Sequence, residues 1–336
     1  MARKPDRRGG PSTRGLDDYG RSYAAGKRLT RWPVGTVYAG EVKPSGAPCT
    51  IVFPDVLPNE VETFVRSLAD EVARNRLLVG LPILGVSHVG VNLDRRAFLV
   101  LPPLARAESV EQRVRSKGPL APLVALQIAV MLADALGRLH YRVRAVGELR
   151  PWQVLLPADR RETLRMFDLG IPRGLWHNTI TPPRVDTHYS SPAVRGGHPP
   201  TAVDDIYALG AFLHFMLSGE PPPLTANPFP PNRAHLGPFA SFIDGLLMQS
   251  ITPDPDRGAA PFEDMHAFAR ALRGLRDLHR LSPSAREALL GAQGMGRDGF
   301  GQVDRMPTGA LGFIESDGPS FLTQAELEAI EGFGPD

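Results

Sequence analysis

Apolar positions along the chain change period several times. From Leu29 the run Leu29-Thr30-Arg31-Trp32-Pro33-Val34-Gly35-Thr36-Val37-Tyr38-Ala39-Gly40 predicts strand, turn and strand, and Gly46 turns the chain into a third strand, Cys49-Thr50-Ile51-Val52-Phe53. Between residues 59 and 78 the spacing becomes helical, with Val61, Phe64, Val65, Leu68 and Val72 on one face and Asn59 as the expected N-cap. Strands are predicted again around 85–91 and 97–101, where Pro102-Pro103 ends the pattern. A β-rich first part with one helix thus precedes a proline-marked hinge.

The remainder reads as mostly helical. Residues 120–139 are apolar but interrupted by Gln127, Asp134 and Arg138, which suits a buried helix better than a membrane span. Residues 171–200, rich in Pro, Gly, Thr and Ser and without period, predict a long surface loop. Residues 205–217 are apolar nearly all round, the mark of a helix buried on every side. Further helices are expected at 239–249 and 262–275, separated from it by the proline-rich stretch 221–231. Beyond 281 a possible short helix at 284–290 and a Gly-rich linker, 291–318, precede the capping box Thr323-Gln324-Ala325-Glu326. That box opens an acidic helix with Phe321, Leu322, Leu327, Ile330 and Phe333 as its apolar side. A helix so short is unstable alone, so docking in cis or on a partner is expected.

Composition adjusts this picture in three ways. The 336 residues are 42% hydrophobic, enough for one large core or two small ones. The single cysteine, Cys49, excludes an internal disulfide framework and a multi-cysteine zinc site; it fits a reducing compartment, and a cytoplasmic location without a leader peptide is expected. The net charge of +2 hides a polarity, because residues 1–32 carry nine Arg/Lys against three Asp, and residues 281–336 carry three Arg against nine Asp/Glu. The basic arm, residues 1–24, reads as a flexible solvated segment, with nucleic-acid binding as a weaker alternative.

Several short motifs then fall in a telling order. Residues 29–38 resemble the glycine-rich loop of protein kinases, in which three glycines let the backbone lie over the ATP phosphates. Gly35 matches the third, whereas Thr30 and Trp32 hold the first two places and Pro33 follows. Cys49-Thr50-Ile51-Val52 resembles the kinase Val-Ala-Ile-Lys strand with Val52 in the lysine position. The nearest lysine is Lys43, one of only four (Lys4, Lys27, Lys43, Lys117) among 38 basic residues, and Glu71 is the counterpart of the glutamate that would pair with the missing one. Val146-Gly147-Glu148 stands where kinases have His-Arg-Asp, with Gln153 five residues on in the place of the loop asparagine and Arg150-Pro151 in that of Lys-Pro. Asp168-Leu169-Gly170 resembles Asp-Phe-Gly, and Tyr189-Ser190-Ser191-Pro192-Ala193 resembles the Tyr-x-x-Pro-Glu that closes the activation loop. Arg257 matches the arginine that pairs with that glutamate, and Asp205 the aspartate that anchors the catalytic loop.

The resemblance, which covers residues 25–276, implies an α+β, two-lobed protein kinase-like fold. A flexible arm (1–24) would be followed by a β-rich N-lobe with one helix (25–103), a mostly helical C-lobe (104–276) and a Gly-rich acidic tail (277–336). It places Glu148, Arg150 and Gln153 in the catalytic loop, and Gly35, Val37, Thr50, Val52 and Leu155 around a nucleotide. Asp168 and Gln153 would hold any metal. From the residues alone, Glu148, Gln153 and Asp168 would equally serve to satisfy backbone groups of their loops. The substituted glycines and the absent lysine point to a pseudokinase of bacterial type that binds other proteins in signalling, with no cofactor expected. The alternative is a divergent active Ser/Thr kinase using ATP and Mg²⁺, with Glu148 as base and Asp168 on the metal.

Overall fold

In the computed structural model of the chain, the residues described are 19–74, 83–104, 108–142, 145–147, 149–156, 164–168, 187–224, 240–251 and 262–280. They divide into two compact units.

The first unit is a five-stranded antiparallel sheet in the order β1-β2-β3-β6-β5. One helical turn, α1 (Tyr19–Ser22), leads into β1 (Tyr23–Trp32), β2 (Gly35–Val42) and β3 (Ala47–Pro54). The end of the predicted flexible arm therefore belongs to the fold. The Tyr23 ring lies 5.9 Å from that of Phe98 and 5.4 Å from that of His88, and Lys43 donates its N–H to the Ser22 carbonyl at 2.8 Å. Period-two alternation in β3 sends Cys49, Ile51 and Phe53 into an apolar cluster with Phe98 and Val100, and Thr50 and Val52 to the other face.

Helix α2 (Val61–Arg74) packs on β5 through a stripe that includes the fully buried Phe64 and Leu68. Asn59 is not its N-cap. A turn of 3-10 helix, Pro58–Glu60, precedes it, and the Asn59 amide donates instead to Glu60 at 3.3 Å. The single strand expected at 85–91 is split into β4 (Ile83–Gly85) and β5 (His88–Val91), because Ser87 between them gives both its N–H and its hydroxyl to the Val100 carbonyl. Strand β6 (Ala97–Leu101) is buried along its length.

The second unit opens with α3 (Val110–Lys117), which was not predicted. Its signal is in the sequence: Ser109-Val110-Glu111-Gln112 forms a reciprocal capping box at 3.0 and 3.1 Å. Helix α4 (Pro122–Arg142) is long and apolar enough to span a membrane by composition, yet 72% of that window is buried inside the protein. Two of its three polar interruptions have partners on α8 (Met265–Arg280): the buried Gln127 accepts from Arg276 at 3.1 Å, and Asp134 pairs with Arg273, while Arg138 donates to the Asp134 carbonyl within α4. The hairpin β7 (Val154–Leu155) and β8 (Arg165–Asp168) follows α4.

The predicted surface loop 171–200 lies outside the described residues up to 186. From 187 onward it is neither featureless nor wholly exposed, since a 3-10 turn (Thr187–Tyr189) and the short helix α5 (Pro192–Arg195) bury Tyr189, Ser190, Ser191 and Val194. Helix α6 (Ala202–Ser218) is buried from Asp204 to Leu217, as its all-round apolar pattern requires. Helix α7 (Ala240–Ile251) crosses it so closely that a Cβ on Gly210 would stand 2.2 Å from Ser250 Oγ. The residues beyond 280, including the predicted acidic helix, are outside the described residues.

Two outcomes follow from this packing. Gly210→Ala, which in an open helix would add about 1 kcal/mol of stability, is expected here to remove about 1–3 kcal/mol; Ser250→Ala in the same chain should return part of it, as read from urea midpoints. Burial pushes the Cys49 thiol up from its ordinary value, and the neighbouring Glu41 carboxylate adds to the shift. A disulfide-exchange reagent at neutral pH should therefore label the native chain at least about tenfold more slowly than the unfolded chain.

Candidate functional site

In the first unit the loop over the expected phosphate position is a closed hairpin. Trp32 and Gly35 are register partners, so only Pro33 and Val34 connect the strands. Pro33 has no N–H to offer a phosphate. Val34 is fully buried and accepts the Asp55 N–H at 2.8 Å. Arg31 pairs with the Asp55 carboxylate and donates to the Thr36 hydroxyl at 3.0 Å, stapling the base of the turn. Gly35 has a packing reason to be glycine, because a Cβ there would lie 2.1 Å from the Phe53 carbonyl oxygen on β3.

The remaining nucleotide-site candidates of this unit are neighbours on β2 and β3. Val52 is fully buried, opposite Val37 on one side and Leu99 on the other. Residue 52 itself supplies no cation there. Lys43 follows Val42, which pairs with Ala47 at the opposite end of β3, and its ammonium contacts the Gly20 carbonyl at 3.3 Å. Thr50 is also fully buried, and its hydroxyl accepts the N–H of Leu104, just past the Pro102-Pro103 hinge, at 2.9 Å. The α2 backbone passes through Glu71, whose side chain is outside the described residues.

In the second unit the predicted catalytic loop is held by one buried carboxylate. Asp205, at the start of α6, accepts the Gly147 N–H at 2.5 Å and the Val146 N–H at 2.8 Å, and lies 2.7 Å from His140 Nε2. Gly147 has φ +80°, and a Cβ added to it would stand 2.3 Å from Pro200 Cβ. The position of the family's arginine is thus closed twice, by backbone conformation and by Pro200.

Arg150 and Gln153 are both buried, and the Gln153 carboxamide oxygen accepts the Arg150 backbone N–H at 2.8 Å, closing the 3-10 turn Pro151–Gln153. Leu155 is buried in β7. Glu148, Leu169, Gly170, Arg257 and the side chain of Asp168 lie outside the described residues. Among the described residues no group of three or more His, Cys, Asp or Glu is placed to hold a metal ion.

Residues not singled out beforehand hold the activation-loop end in place. Ser191 caps α5, accepting the Val194 N–H at 3.1 Å, and donates its hydroxyl to buried Asp204. The other Asp204 oxygen accepts from both the N–H and the hydroxyl of Thr201 at 2.7 Å. Arg195 donates to the Ser190 carbonyl at 2.6 Å and reaches the Tyr207 hydroxyl at 3.3 Å. The Thr201-x-x-Asp204 spacing of a capping box was the available signal for part of this. Ala193, in the place of the family's glutamate, is exposed.

No protein-family model matches the sequence. Among curated proteins the chain is 25% identical over 223 residues, 61% of its length, to the serine/threonine-protein kinase PknB of Mycobacterium leprae. It is 31% identical over 172 residues, 51% of its length, to the serine/threonine-protein kinase PknK of Mycobacterium bovis. The matched stretch spans 35% of the first relative and 15% of the second. The crystal structure of the Mycobacterium tuberculosis PknI kinase domain aligns with a TM-score of 0.60 at 20% identity, covering 76% of this chain and 96% of that domain. The chain has the α+β, two-lobed fold of protein kinase domains, and its sequence is similar to those of bacterial serine/threonine-protein kinases.

If Asp205 organises the loop, Asp205→Asn, which leaves one amide N–H group among donors, should cost about 2 kcal/mol. Hydrogen exchange at the Val146 and Gly147 amides should accelerate with it, while exchange in the first unit's sheet stays unchanged.

Proposed function

We propose that this domain is a pseudokinase, a binding or regulatory module in bacterial signalling that has lost efficient phosphoryl transfer. The observation that carries the reading is Val52, fully buried between Val37 and Leu99 where the family places its phosphate-binding lysine. Losing a charge-assisted hydrogen bond removes about 1.5–3 kcal/mol, roughly 10- to 150-fold in affinity. The closed Pro33-Val34 turn adds to this, since a phosphate cradle needs successive exposed backbone N–H groups. Within the first unit the Thr50 hydroxyl accepts from Leu104, and within the second the Gln153 oxygen accepts from Arg150. Among the described residues, Val52 and the Pro33-Val34 turn supply neither the cation nor the successive exposed N–H groups that a Mg²⁺-bound triphosphate would need. Partners would be other proteins of a signalling system, and a cytoplasmic setting suits the lone buried cysteine.

One observation favours a second reading, a divergent active Ser/Thr kinase with Glu148 as base and Asp168 as metal ligand. Asp205 still holds the loop that carries Glu148. Isothermal titration and thermal shift with ATP and ADP, with and without Mg²⁺, separate the two. The pseudokinase reading expects no saturable heat at micromolar nucleotide and no change in melting temperature. Micromolar Mg-ATP binding, with phosphate transfer to a generic acceptor that vanishes in Asp168→Asn, would establish the enzyme instead.

A further inference from the structure

Strand β1 is an edge of the five-stranded sheet, paired on one side with β2. Residues Ala25 to Leu29 are exposed in succession, and the register with β2 shifts twice between Ala25 and Thr30. Arg21, Lys27 and Arg28 are exposed there, and Leu29 keeps 43% of its surface. Edge strands are commonly blunted by such cations and bulges, which repel basic or neutral strands. The same charges attract an acidic one. Arg31 is already committed to Asp55, so the free positive charge of the edge lies on its other cations.

The chain carries a segment of matching character. Residues 307–336 contain Glu315, Asp317, Glu326, Glu328, Glu331 and Asp336 and no lysine or arginine. Between them lie Phe321, Leu322, Leu327, Ile330 and Phe333, an apolar set that gains by covering exposed surface such as Leu29. Residues 281–306 separate this segment from the end of α8 and could extend over roughly 90 Å, so the tether sets no barrier.

We infer that the acidic segment 307–336 docks in cis along the basic edge of β1. This contact covers the exposed cations of the β1 edge and competes there with any external polyanion, so the acidic segment acts as an internal mask. Nothing in it depends on whether the domain binds nucleotide.

The lysine scarcity makes the test sharp. A carbodiimide joins a lysine amine directly to a carboxylate, and the four lysines sit in different places: Lys4 in the arm, Lys27 on the edge, Lys43 in the turn after β2 and Lys117 at the end of α3. The full chain, mixed with an isotope-labelled copy, is crosslinked at about 50 mM and about 0.5 M salt, where screening differs severalfold. The expected result is a link from Lys27 to one of Glu315, Asp317, Glu326, Glu328 or Glu331. It should form within one molecule, fall at least about fivefold at the higher salt, and fall similarly in Arg28→Glu with an unchanged melting temperature. Links from Lys4 or Lys117 without Lys27, links only between labelled and unlabelled chains, or a Lys27 yield indifferent to salt would overturn the assignment. So would salt-sensitive binding of single-stranded DNA at the edge that proceeds equally well with 307–336 deleted.

Discussion

The second unit depends on a carboxylate with no exposure to solvent. Asp205 is fully buried, and a buried charge is tolerable only when its oxygens are matched by donors. Its matches are the N–H groups of Val146 and Gly147 together with His140 at the end of α4. The same atoms that relieve the desolvation of Asp205 thus fix the entry of the loop 145–156 and tie it to α4 and α6. One residue earlier, Asp204 does comparable work for the segment leading into α6, gathering Ser191 and Thr201. Two adjacent acids at the mouth of one apolar helix therefore organise both polar segments of this unit.

The contrast with the first unit is one of chemistry. There the residues in family positions have been recruited to packing: Val52 fills the sheet, Gly35 makes room for β3, and Thr50 fastens the hinge at Leu104. Each is explained by its immediate neighbours without reference to a ligand. Gly35 is instructive because a glycine at that place reads in sequence as a remnant of phosphate binding. Its geometry supplies a different and sufficient cause, a carbonyl 2.1 Å from where a Cβ would be.

Much of this was legible from one sequence because periodicity reports burial directly. The alternation in 49–53, the helical stripe of α2 and the all-round apolar run of α6 each gave the right element, since each records a surface the chain must hide. Asp205 was also legible, through its motif position. The N-cap miss at Asn59 was local, set by the Pro58–Glu60 turn; most others were set by partners distant in sequence. Gln127 and Asp134 lie on a helix rightly read as buried, but their partners, Arg276 and Arg273, stand 149 and 139 residues away and were not legible. The segment 187–200 looked like loop because its Ser, Pro and Gly content suits turns, and only Asp204 and Tyr207 make it a buried, capped structure. Helix α3 was a second local case, a signal overlooked: Ser109 and Gln112 stood at capping-box spacing.

Gly147 and Pro200 bear on how the end of the activation segment is held. In the family an arginine at the Gly147 position reads a phosphate on the activation loop. Here the backbone is left-handed, the neighbouring space is filled by Pro200, and the end of the activation segment is already fastened by Ser191, Asp204 and Arg195. A phosphate-reading arginine would have to displace a proline and adopt a strained backbone, in order to stabilise a conformation that neutral hydrogen bonds and one buried acid already hold.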